Sequence, residues 1–446
     1  MLFMALVAGL ATRLGAQQSS RQAIEPPLVR QLQADLNRVD RPDSVVQGFW
    51  SGLTRSGTPI VETIGDSHGS TLQVSFYWHG DSATHAVALI TPLALLDIQA
   101  SALSRVEGTD VWYKSLNLPS DTRFAYRFSI NDNLVPFEKE TNFGARMAGM
   151  RADPLNRKVF DYGPFGTMSI LELPAAPSDS LIRSRPGMPA GTLEQATIPS
   201  KASGESRTVT VYVPPNYAKG TGAQGQRSAD PSARRSAGVG PPARLIVLMD
   251  GESYQSLLPT PTILNNLIAQ RAIPPVIAVL VHNPADTRDR DLNCNPDWDR
   301  FIVSELVPWV TTRYRVSDQP EQRVIGGFSL GGLAAACVAI RNPNVFGNVI
   351  AQSGSFYRAS GGDEPEWVAR RLAASQRLPL RFNLSIGRFE TAAIPNRDPS
   401  MLTASRHLRD VLKAKGYDVA YQELSSGHEH VAWRAILGDA IGWGVR

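Results

Sequence analysis

The 446-residue chain contains few cysteines, few histidines and little net charge. Two cysteines are too few for a disulfide scaffold or a cysteine-based zinc site. The 45 Lys and Arg residues nearly balance 41 Asp and Glu residues, and no dense basic block is present, so a nucleic-acid partner is not expected. Because 42 % of the residues are apolar and 19 % are charged, the composition is that of a globular protein with a substantial core.

Long hydrophobic runs are also absent, apart from residues 2–12. This run is too short to cross a bilayer, which takes about 20 apolar residues. Its length suits the apolar region of a signal peptide, and a polar stretch follows Ala16. We therefore predict a signal peptide at 1–16 and a periplasmic or secreted protein without stable membrane insertion after cleavage. The alternative is a cytoplasmic protein in which the run forms a buried N-terminal helix.

Residues 45–175 carry short stretches that alternate between apolar and polar residues, with Gly, Asp, Asn and Pro between them. We predict strands at 71–78, 86–90, 110–113 and 123–130, with no helices between them. Such a pattern indicates an all-β, immunoglobulin-like sandwich domain. An amphipathic helical stretch at 20–47 is expected to precede it.

From about residue 190 the pattern changes to fully apolar strands that alternate with helices. The predicted strands are 207–213, 244–249, 276–281, 323–327, 348–352, 380–386 and 418–424. The predicted helices are 259–271, 297–313, one from 331, one near 364–375, 400–415 and one from 432. This alternation predicts an α/β domain at 190–446, with a mainly parallel sheet covered by helices on both faces. Residues 218–243, rich in Gly, Ala, Ser, Arg and Pro, are interpreted as a disordered surface insertion.

The segment Gly327-Phe328-Ser329-Leu330-Gly331 is a G-x-S-x-G motif between an apolar strand and a helix of small residues. This context is that of the nucleophile elbow of α/β-hydrolases. The glycines are expected because side chains at 327 and 331 would collide with the neighbouring helix and strand. Ser329 is therefore the candidate nucleophile. Cys337, in the same helix, is interpreted as a buried apolar residue that need not pair with Cys294.

A serine nucleophile needs a base, and α/β-hydrolases place the acid and then the histidine after the serine. Three histidines follow Ser329, namely His407, His428 and His430. His407 lies inside a predicted helix, whereas His428 and His430 lie on the loop after the last strand. We prefer His428, which directly follows Gly427, and keep His430 as the alternative.

The acid of such a triad is expected at the end of the preceding strand, where it would orient the imidazole. Residues 380–386 lead into Glu390, which is our candidate, and Asp398 in the same loop is the alternative. The oxyanion would be bound by the N–H of Leu330 and by an N–H at Gly251 or Glu252, after the first long core strand. No metal or other cofactor is expected in catalysis.

At this point the sequence resembles the enterochelin (ferric-enterobactin) esterases, which belong to the esterase-D-like α/β-hydrolases. The hydrolase part carries these similar segments: Leu248-Met249-Asp250-Gly251, Asp286-Thr287-Arg288, Leu292-Asn293-Cys294-Asn295-Pro296-Asp297-Trp298, Gly327 to Gly332, Gln352-Ser353-Gly354-Ser355 and Gly427 to Arg434. The sandwich part carries Gly57 to Val61, Arg105 to Trp112 and Ala152 to Asn156. The sandwich matches are the more specific, because many esterases share the elbow.

The resemblance implies hydrolysis of the ester bonds of a cyclic serine trilactone that bears catecholates, with iron present only as part of the siderophore substrate. It implies Ser329 as nucleophile, His428 as base and Glu390 as acid. It also implies that Arg288 and Asn295 lie beside the active site. Arg288 and Arg290 would attract the negative charge of a ferric catecholate. The alternative is that these arginines pair with Asp286, Asp289 and Asp291.

Three functional hypotheses follow. The first is a serine ester hydrolase that acts on a ferric catecholate siderophore. The second is a feruloyl or acetyl esterase that acts on plant polysaccharide, with the sandwich as a glycan-binding module. The third is a non-catalytic binding protein on the hydrolase fold, which would be expected to lack a member of the triad. The residue types of all three members are present, which favours an enzyme.

Overall fold

A computed structural model describes residues 25–40, 42–64, 70–217, 241–359, 364–391 and 399–446. The predicted signal peptide at 1–16 and most of the predicted insertion at 218–243 lie outside these ranges, as does Asp398. The described chain forms two architectures in sequence order, a β-sandwich and an α/β domain with one large sheet. Both parts of the predicted fold class are therefore present.

Two helices open the described chain, and they differ from the single predicted stretch at 20–47. They are α1 (Pro27–Leu36) and α2 (Pro42–Ser56). The second helix continues past residue 47 through Phe49 and Trp50, inside the region that we predicted to be all-β. Trp50 and Leu53 lie three residues apart on one helical face and pack on Tyr77 of the sandwich. Tertiary packing thus holds these residues in a helix despite an aromatic pair typical of strands.

The sandwich consists of two antiparallel sheets. Its strands are β1 (Ile60–Thr63), β2 (Thr71–His79), β3 (Val87–Ile90), β4 (Ser104–Arg105), β5 (Val111–Pro119), β6 (Arg123–Ile130), β7 (Met150–Arg151), β8 (Val159–Asp161) and β9 (Thr167–Glu172). One sheet has the order β1-β2-β5-β4, and the other has the order β3-β6-β9-β8 with β7 paired to β6. A short helix, α3 (Phe143–Ala148), interrupts the region that we expected to be free of helices. The side chains between the sheets include Phe76, Phe124 and Phe128.

The α/β domain is built on an eight-stranded sheet. Its strands are β10 (Thr192–Pro199), β11 (Ser206–Val213), β12 (Arg244–Leu248), β13 (Val276–Val281), β14 (Arg323–Phe328), β15 (Asn348–Gln352), β16 (Arg381–Gly387) and β17 (Asp418–Leu424). They lie in the order β10-β11-β13-β12-β14-β15-β16-β17. The first two strands are antiparallel and the others run parallel. All of these strands except β10 were predicted; β10 lies at the exposed edge of the sheet and has no apolar run.

Alternate residues of each strand point to opposite faces of this sheet, and helices pack on both faces. They are α4 (Gly251–Ser256), α5 (Thr260–Ala269), α6 (Ala285–Leu292), α7 (Pro296–Arg300), α8 (Val307–Arg313), α9 (Leu330–Arg341), α10 (Trp367–Ala374), α11 (Met401–Ala414) and α12 (His430–Gly444). Leu245 and Val247 pack on one side with Leu333 of α9, and Leu248 packs on the other with Leu437 of α12. A π-helical turn, Phe301–Leu306, joins α7 to α8 where we predicted one continuous helix. None of the described helices combines the length and the apolar character needed to span a bilayer.

Cys294 and Cys337 form a disulfide that joins the segment between α6 and α7 to α9. Cys337 is a buried residue of the helix after the serine, as predicted, but the bond itself was not predicted. Both cysteines belong to the same buried cluster on one face of the sheet. The bond therefore fixes the segment around Cys294 next to the helix that follows Ser329.

Candidate active site

Ser329 lies at the turn between β14 and α9, at the carboxyl end of the parallel sheet. Its backbone is in the positive-φ region, with φ 54° and ψ −123°. A Cβ atom at Gly327 would lie 2.5 Å from the carbonyl carbon of Gly331, and one at Gly331 would lie 3.0 Å from the Asp250 carboxylate. The backbone approach is the steric reason for Gly327, and a side chain at Gly331 would require the Asp250 carboxylate to shift. The turn presents Ser329 at the carboxyl end of the sheet in a strained conformation, as in a nucleophile elbow.

His428 and Glu390 meet at the same carboxyl end of the sheet. His428 lies on the loop between β17 and α12, and its Nδ1 is 2.8 Å from Oε2 of Glu390. The side chain of Glu390 is 3 % exposed, whereas that of His428 is 34 % exposed. With Nδ1 bound to the carboxylate, Nε2 is the ring nitrogen left to act on a serine hydroxyl. The structure thus places His428, and not His430, against the candidate acid.

Two further residues, Ser353 and Trp433, hold the candidate acid. Ser353 directly follows β15, and its hydroxyl lies 2.6 Å from Oε1 of Glu390. The same oxygen accepts a 2.8 Å hydrogen bond from the backbone N–H of Gly387. Trp433 donates through Nε1 to the Ser353 hydroxyl at 3.0 Å. No role was predicted for Ser353 or Trp433, although both lie in segments that resemble the enterochelin esterases.

The ring of Trp433 also connects the histidine to the elbow. It packs edge-on against the His428 ring with centroids 4.8 Å apart and stacks on Phe328 at 4.7 Å. Phe328 directly precedes Ser329, whose backbone N–H donates to the carbonyl of Gln352. The next residue after Gln352 is Ser353. Backbone and aromatic contacts therefore bring the three candidate triad residues to one end of β14, β15 and β16.

His430 and His407 have other surroundings. His430 is packed among the rings of Tyr162, Phe328 and Trp433. Burial, with smaller contributions from His428 and Arg288, lowers the pKa of His430 to about 3. A histidine with this pKa stays neutral and has an aromatic packing role. His407 lies on α11, half-exposed, with Nδ1 2.8 Å from a carboxylate oxygen of Glu366.

The predicted oxyanion donors lie on two helix N-termini. Leu330 is the first residue of the 12-residue helix α9, so its N–H has no acceptor within the helix. Asp250 has a left-handed backbone with φ 57°, and it turns the chain from β12 into Gly251 and Glu252 of α4. A Cβ at Gly251 would lie 2.6 Å from the carbonyl carbon of Leu280, which explains the glycine. The predicted donors thus belong to the first residues of two helices, and each helix directly follows a core strand of the sheet.

Arg288 is bound to this same loop. Its guanidinium makes two hydrogen bonds to Asp250, at 2.6 and 2.8 Å, and it lies over the ring of Phe328. Asp250 is 4 % exposed. Burial raises the pKa of Asp250, and the Arg288 guanidinium opposes that rise. The hydrogen-bond partner of Arg288 is therefore Asp250, which the expected alternative did not include, whereas Asp289 contributes a charge interaction.

Arg290 and Asn295 have structural partners. Arg290 is bonded to Glu205 at 2.8 and 3.0 Å and to Asp291 at 2.9 Å. The pairing with Asp291 was one of the expected alternatives. Asn295 caps α7 by accepting from the N–H of Asp297, and it donates to the carbonyl of Arg290. Of the three predicted binding residues, Arg288 alone contacts the residue that precedes Ser329.

Among the described residues, no group of three or more His, Cys, Asp and Glu side chains is arranged to hold a metal ion. The side chains at the carboxyl end of the sheet support acid–base and nucleophilic chemistry. A serine at a strained turn, with a histidine bonded to a buried carboxylate at the same end of the sheet, provides the three groups that activate a hydroxyl for acyl transfer.

An elbow serine, an eight-stranded mixed sheet and helices on both faces define the α/β-hydrolase class. Comparison with known families refines this class. The chain matches the Esterase family over residues 200–443 and the N-terminal domain of enterochelin esterases over residues 73–181. The chain thus belongs to the Esterase family, is a carboxylic ester hydrolase and carries the enterochelin esterase N-terminal domain. The resemblance found in the sequence is confirmed.

Individual relatives cover most of the chain. The iron(III) enterobactin esterase of Escherichia coli K12 is 25 % identical over 82 % of this chain and 89 % of its own length. The ferric enterobactin esterase of Salmonella typhimurium superposes with a TM-score of 0.70 at 24 % identity, covering 89 % of this chain and 98 % of that one. The enterobactin esterase of Shigella flexneri, solved in the presence of enterobactin, gives a TM-score of 0.67 at 24 % identity, covering 89 % and 97 %. These structures share the fold of this chain.

Proposed function

We propose that this esterase hydrolyses the ester bonds of a ferric catecholate siderophore of the enterobactin type and so releases its iron. The observation that carries the proposal is the His428–Glu390 pair beside the Ser329 elbow, in a chain that also has the enterochelin esterase N-terminal domain. The curated relatives that match most of the chain are named for enterobactin ester hydrolysis. Iron enters this chemistry as part of the substrate.

In the proposed mechanism, the Ser329 hydroxyl attacks the ester carbonyl while His428 Nε2 accepts its proton. Glu390 holds the imidazole through Nδ1 and stabilises the imidazolium. The tetrahedral oxyanion is bound by the N–H of Leu330 and an N–H at Gly251 or Glu252. The C–O bond to the leaving serine residue of the trilactone then breaks, and His428 returns the proton to that alkoxide. Water hydrolyses the acyl-enzyme in the same way.

Two arginines beside the elbow support an anionic substrate, and each is also bonded to a carboxylate, Arg288 to Asp250 and Arg358 to Asp289. Arg288 lies over Phe328, and Arg358 is close enough for repulsion to oppose the rise in the Arg288 pKa. Arg358 follows β15 on the segment whose Ser355 N–H donates to the carbonyl of Ser329. A ferric tris-catecholate is negatively charged, so both guanidinium groups would favour its binding.

The direct test is product analysis. The protein is incubated with ferric enterobactin and, in parallel, with feruloylated xylan, and the released acids are separated and identified. Linear dihydroxybenzoylserine products from the first substrate alone are expected. Release of ferulate at the higher rate would favour the polysaccharide esterase. Ser329→Ala should abolish turnover of p-nitrophenyl acetate with an unchanged circular dichroism spectrum, and surviving activity would overturn the mechanism.

The charge of the substrate can be tested separately with Arg358→Ala. We expect KM for ferric enterobactin to rise about 5- to 10-fold, because a partly buried ionic contact contributes about 1 kcal/mol. KM for the neutral p-nitrophenyl acetate should change less than about 2-fold. An equal change for both esters would assign Arg358 to the shape of the pocket instead.

We also propose that the protein is exported. The apolar run at 2–12 and the Cys294–Cys337 disulfide support this, since disulfides persist in oxidising compartments such as the periplasm. Mass spectrometry of protein recovered from a periplasmic fraction should give a mature chain that starts near residue 17. An uncleaved chain in the cytoplasmic fraction would contradict export.

A further inference from the structure

The loop that carries His428 completes an edge of the N-terminal sandwich. In β6, residues 123–126 pair with β9 on one side, whereas β3 reaches only residues 127–130 on the other side. The open half of that edge is filled by residues 425–429, which we name the His428 loop. The N–H of Arg123 donates to the carbonyl of Ser425 at 3.1 Å, and the N–H of Ala125 donates to Glu429 Oε2 at 2.7 Å. Alternate N–H groups of β6 are thus used as they would be by another strand.

In this pairing the Glu429 carboxylate accepts the hydrogen bond that a backbone carbonyl of a neighbouring strand would accept. One of its carboxylate oxygens accepts from Ala125, and the other accepts from the Ser426 hydroxyl at 2.8 Å, with the Gly427 N–H at 3.4 Å. The carboxylate therefore closes the loop around His428 and fastens it to the other domain in a single contact. Although Glu429 keeps some exposed surface, its carboxyl group is enclosed by protein, and this burial raises its pKa to about 7.

Other contacts hold the same loop from the sandwich side. The Ser425 hydroxyl donates to Asp121 at 2.6 Å. Gly427 lies so close to Pro92 that a Cβ at this position would overlap the proline ring. Next to Glu390, Phe389 packs on the sandwich core. The segments of the candidate base and of the candidate acid are thus both fixed by the N-terminal domain.

We propose that the N-terminal sandwich positions the catalytic histidine, and that Glu429 is the positioning residue through which the open edge of β6 holds the His428 loop. The inference rests on the proposed function of His428 as the base. It assigns the sandwich a role in the chemical step, apart from any contact with substrate. A base displaced by about 1 Å costs about 100-fold in rate, so loss of this grip should appear in kcat.

The test compares Glu429→Ala with Glu429→Gln in the full chain, with p-nitrophenyl acetate as substrate. We expect Glu429→Ala to lower kcat about 10- to 100-fold with KM within about 3-fold. Glu429→Gln should keep kcat within about 5-fold of wild type, because its amide oxygen still accepts from Ala125 and its NH₂ can donate to the Ser426 hydroxyl. Asp121→Ala, a change made only in the sandwich, should lower kcat about 3- to 10-fold.

Two controls separate positioning from general stability. Leu32→Ala removes a buried side chain of the same domain away from the loop, and it should lower the melting temperature without lowering kcat. Glu321→Ala, an exposed carboxylate at the amino end of β14, should change neither quantity. Wild-type kcat in Glu429→Ala, or a loss confined to KM, would overturn the proposal. Activity that survives Ser329→Ala would instead show that the proposed function itself is wrong.

Discussion

The carboxylate of Glu390 is bonded by groups from three different elements: Ser353 after β15, Gly387 at the end of β16, and His428 after β17. Two of these bonds saturate one oxygen and leave the other directed at the imidazole. A carboxylate held in this way can orient the imidazole and stabilise its cation without moving during the reaction. This is the residue-scale feature that best fits an acid of a triad.

Glu390→Gln should therefore lower kcat by about 10²- to 10⁴-fold with little change in KM, because an amide favours the wrong histidine tautomer. The matched variant is Asp398→Asn, at the alternative position, which should keep kcat within about 3-fold of wild type. Steady-state kinetics with p-nitrophenyl acetate measure both. A larger loss in Asp398→Asn than in Glu390→Gln would reverse the assignment of the acid.

Ser353 offers a second test at this scale, because its hydroxyl lies between Trp433 and Glu390. In Ser353→Ala the buried indole N–H of Trp433 loses its acceptor, and Glu390 loses a 2.6 Å bond. We expect kcat to fall about 10-fold and the free energy of unfolding to fall by about 1–3 kcal/mol. Urea denaturation and kinetics report the two effects.

Ser385→Ala is the control for this change. Ser385 lies in the neighbouring strand β16, 4 % exposed, and its hydroxyl has no hydrogen-bond partner among the described residues. Its removal should change kcat less than about 2-fold. If both variants lose the same activity, the Ser353 hydroxyl has no special role in holding Glu390.

Several single residues could be predicted from the sequence because their signals are local. Ser329 is identified by glycines two positions away on either side, and their steric reason is seen in the structure. The partners of Arg288 and Arg290 could not be predicted in full, since Asp250 and Glu205 lie 38 and 85 residues away along the chain. Charge pairing between distant segments depends on the tertiary fold, and alternation of charges in one sequence does not reveal it.

At the scale of elements, apolar runs predicted the buried strands well because a parallel strand covered on both faces needs an apolar residue at every position. All residues of β13 and β14 are buried, and both were found. The edge strand β10 was missed because most of its residues are exposed, so it has no apolar run. Helix α2 was partly missed because its Phe49 and Trp50 resemble strand residues, and only packing on Tyr77 decides their conformation.

The disulfide is an element-scale constraint that can be tested by reduction. It closes a loop with a sequence separation of 43 residues between Cys294 and Cys337. By the chain-entropy relation such a bond contributes up to about 4 kcal/mol to the free energy of unfolding. Wild-type protein in dithiothreitol should therefore unfold at a lower urea concentration than the oxidised protein.

The double variant Cys294→Ala/Cys337→Ala provides the control for this experiment. It should unfold at a urea midpoint near that of the reduced wild type, and dithiothreitol should not change that midpoint further. An identical midpoint for oxidised and reduced wild type would show that the bond contributes nothing measurable.

At the scale of the whole molecule, the two domains meet at the candidate active site. Residues separated by about 300 positions form this junction, among them the Asp121–Ser425 and Ala125–Glu429 pairs. A buried ionic group adds to it, since Asp179 is bonded to both Arg123 and Arg434. Periodicity and motifs in a single sequence do not reveal contacts between such distant residues. Both domains could therefore be predicted, but the interface that holds His428 could not.

Two titratable groups at this junction make its stability depend on pH in opposite directions. The pKa of Glu429 is raised from 4.5 to about 7, so its contribution to stability is complete below pH 4.5 and is lost as the pH rises through 7. The pKa of His430 is lowered from 6.5 to about 3, so its contribution is complete above pH 6.5 and is lost as the pH falls through 3. The two slopes oppose each other between pH 4.5 and 6.5.

Glu429→Gln removes only the first of these groups, so the difference in stability between variant and wild type isolates it. We expect this difference to move in favour of the variant by about 1–3 kcal/mol as the pH rises from 4.5 to 8, because the wild type must then hold a carboxylate in the domain junction. Urea denaturation at a series of pH values measures the difference. Since the junction links both domains, tryptophan fluorescence and circular dichroism should follow one common transition. A difference in stability that is constant with pH would show that Glu429 does not titrate in this range. Two separate unfolding transitions would show that the domains unfold independently of the loop that joins them.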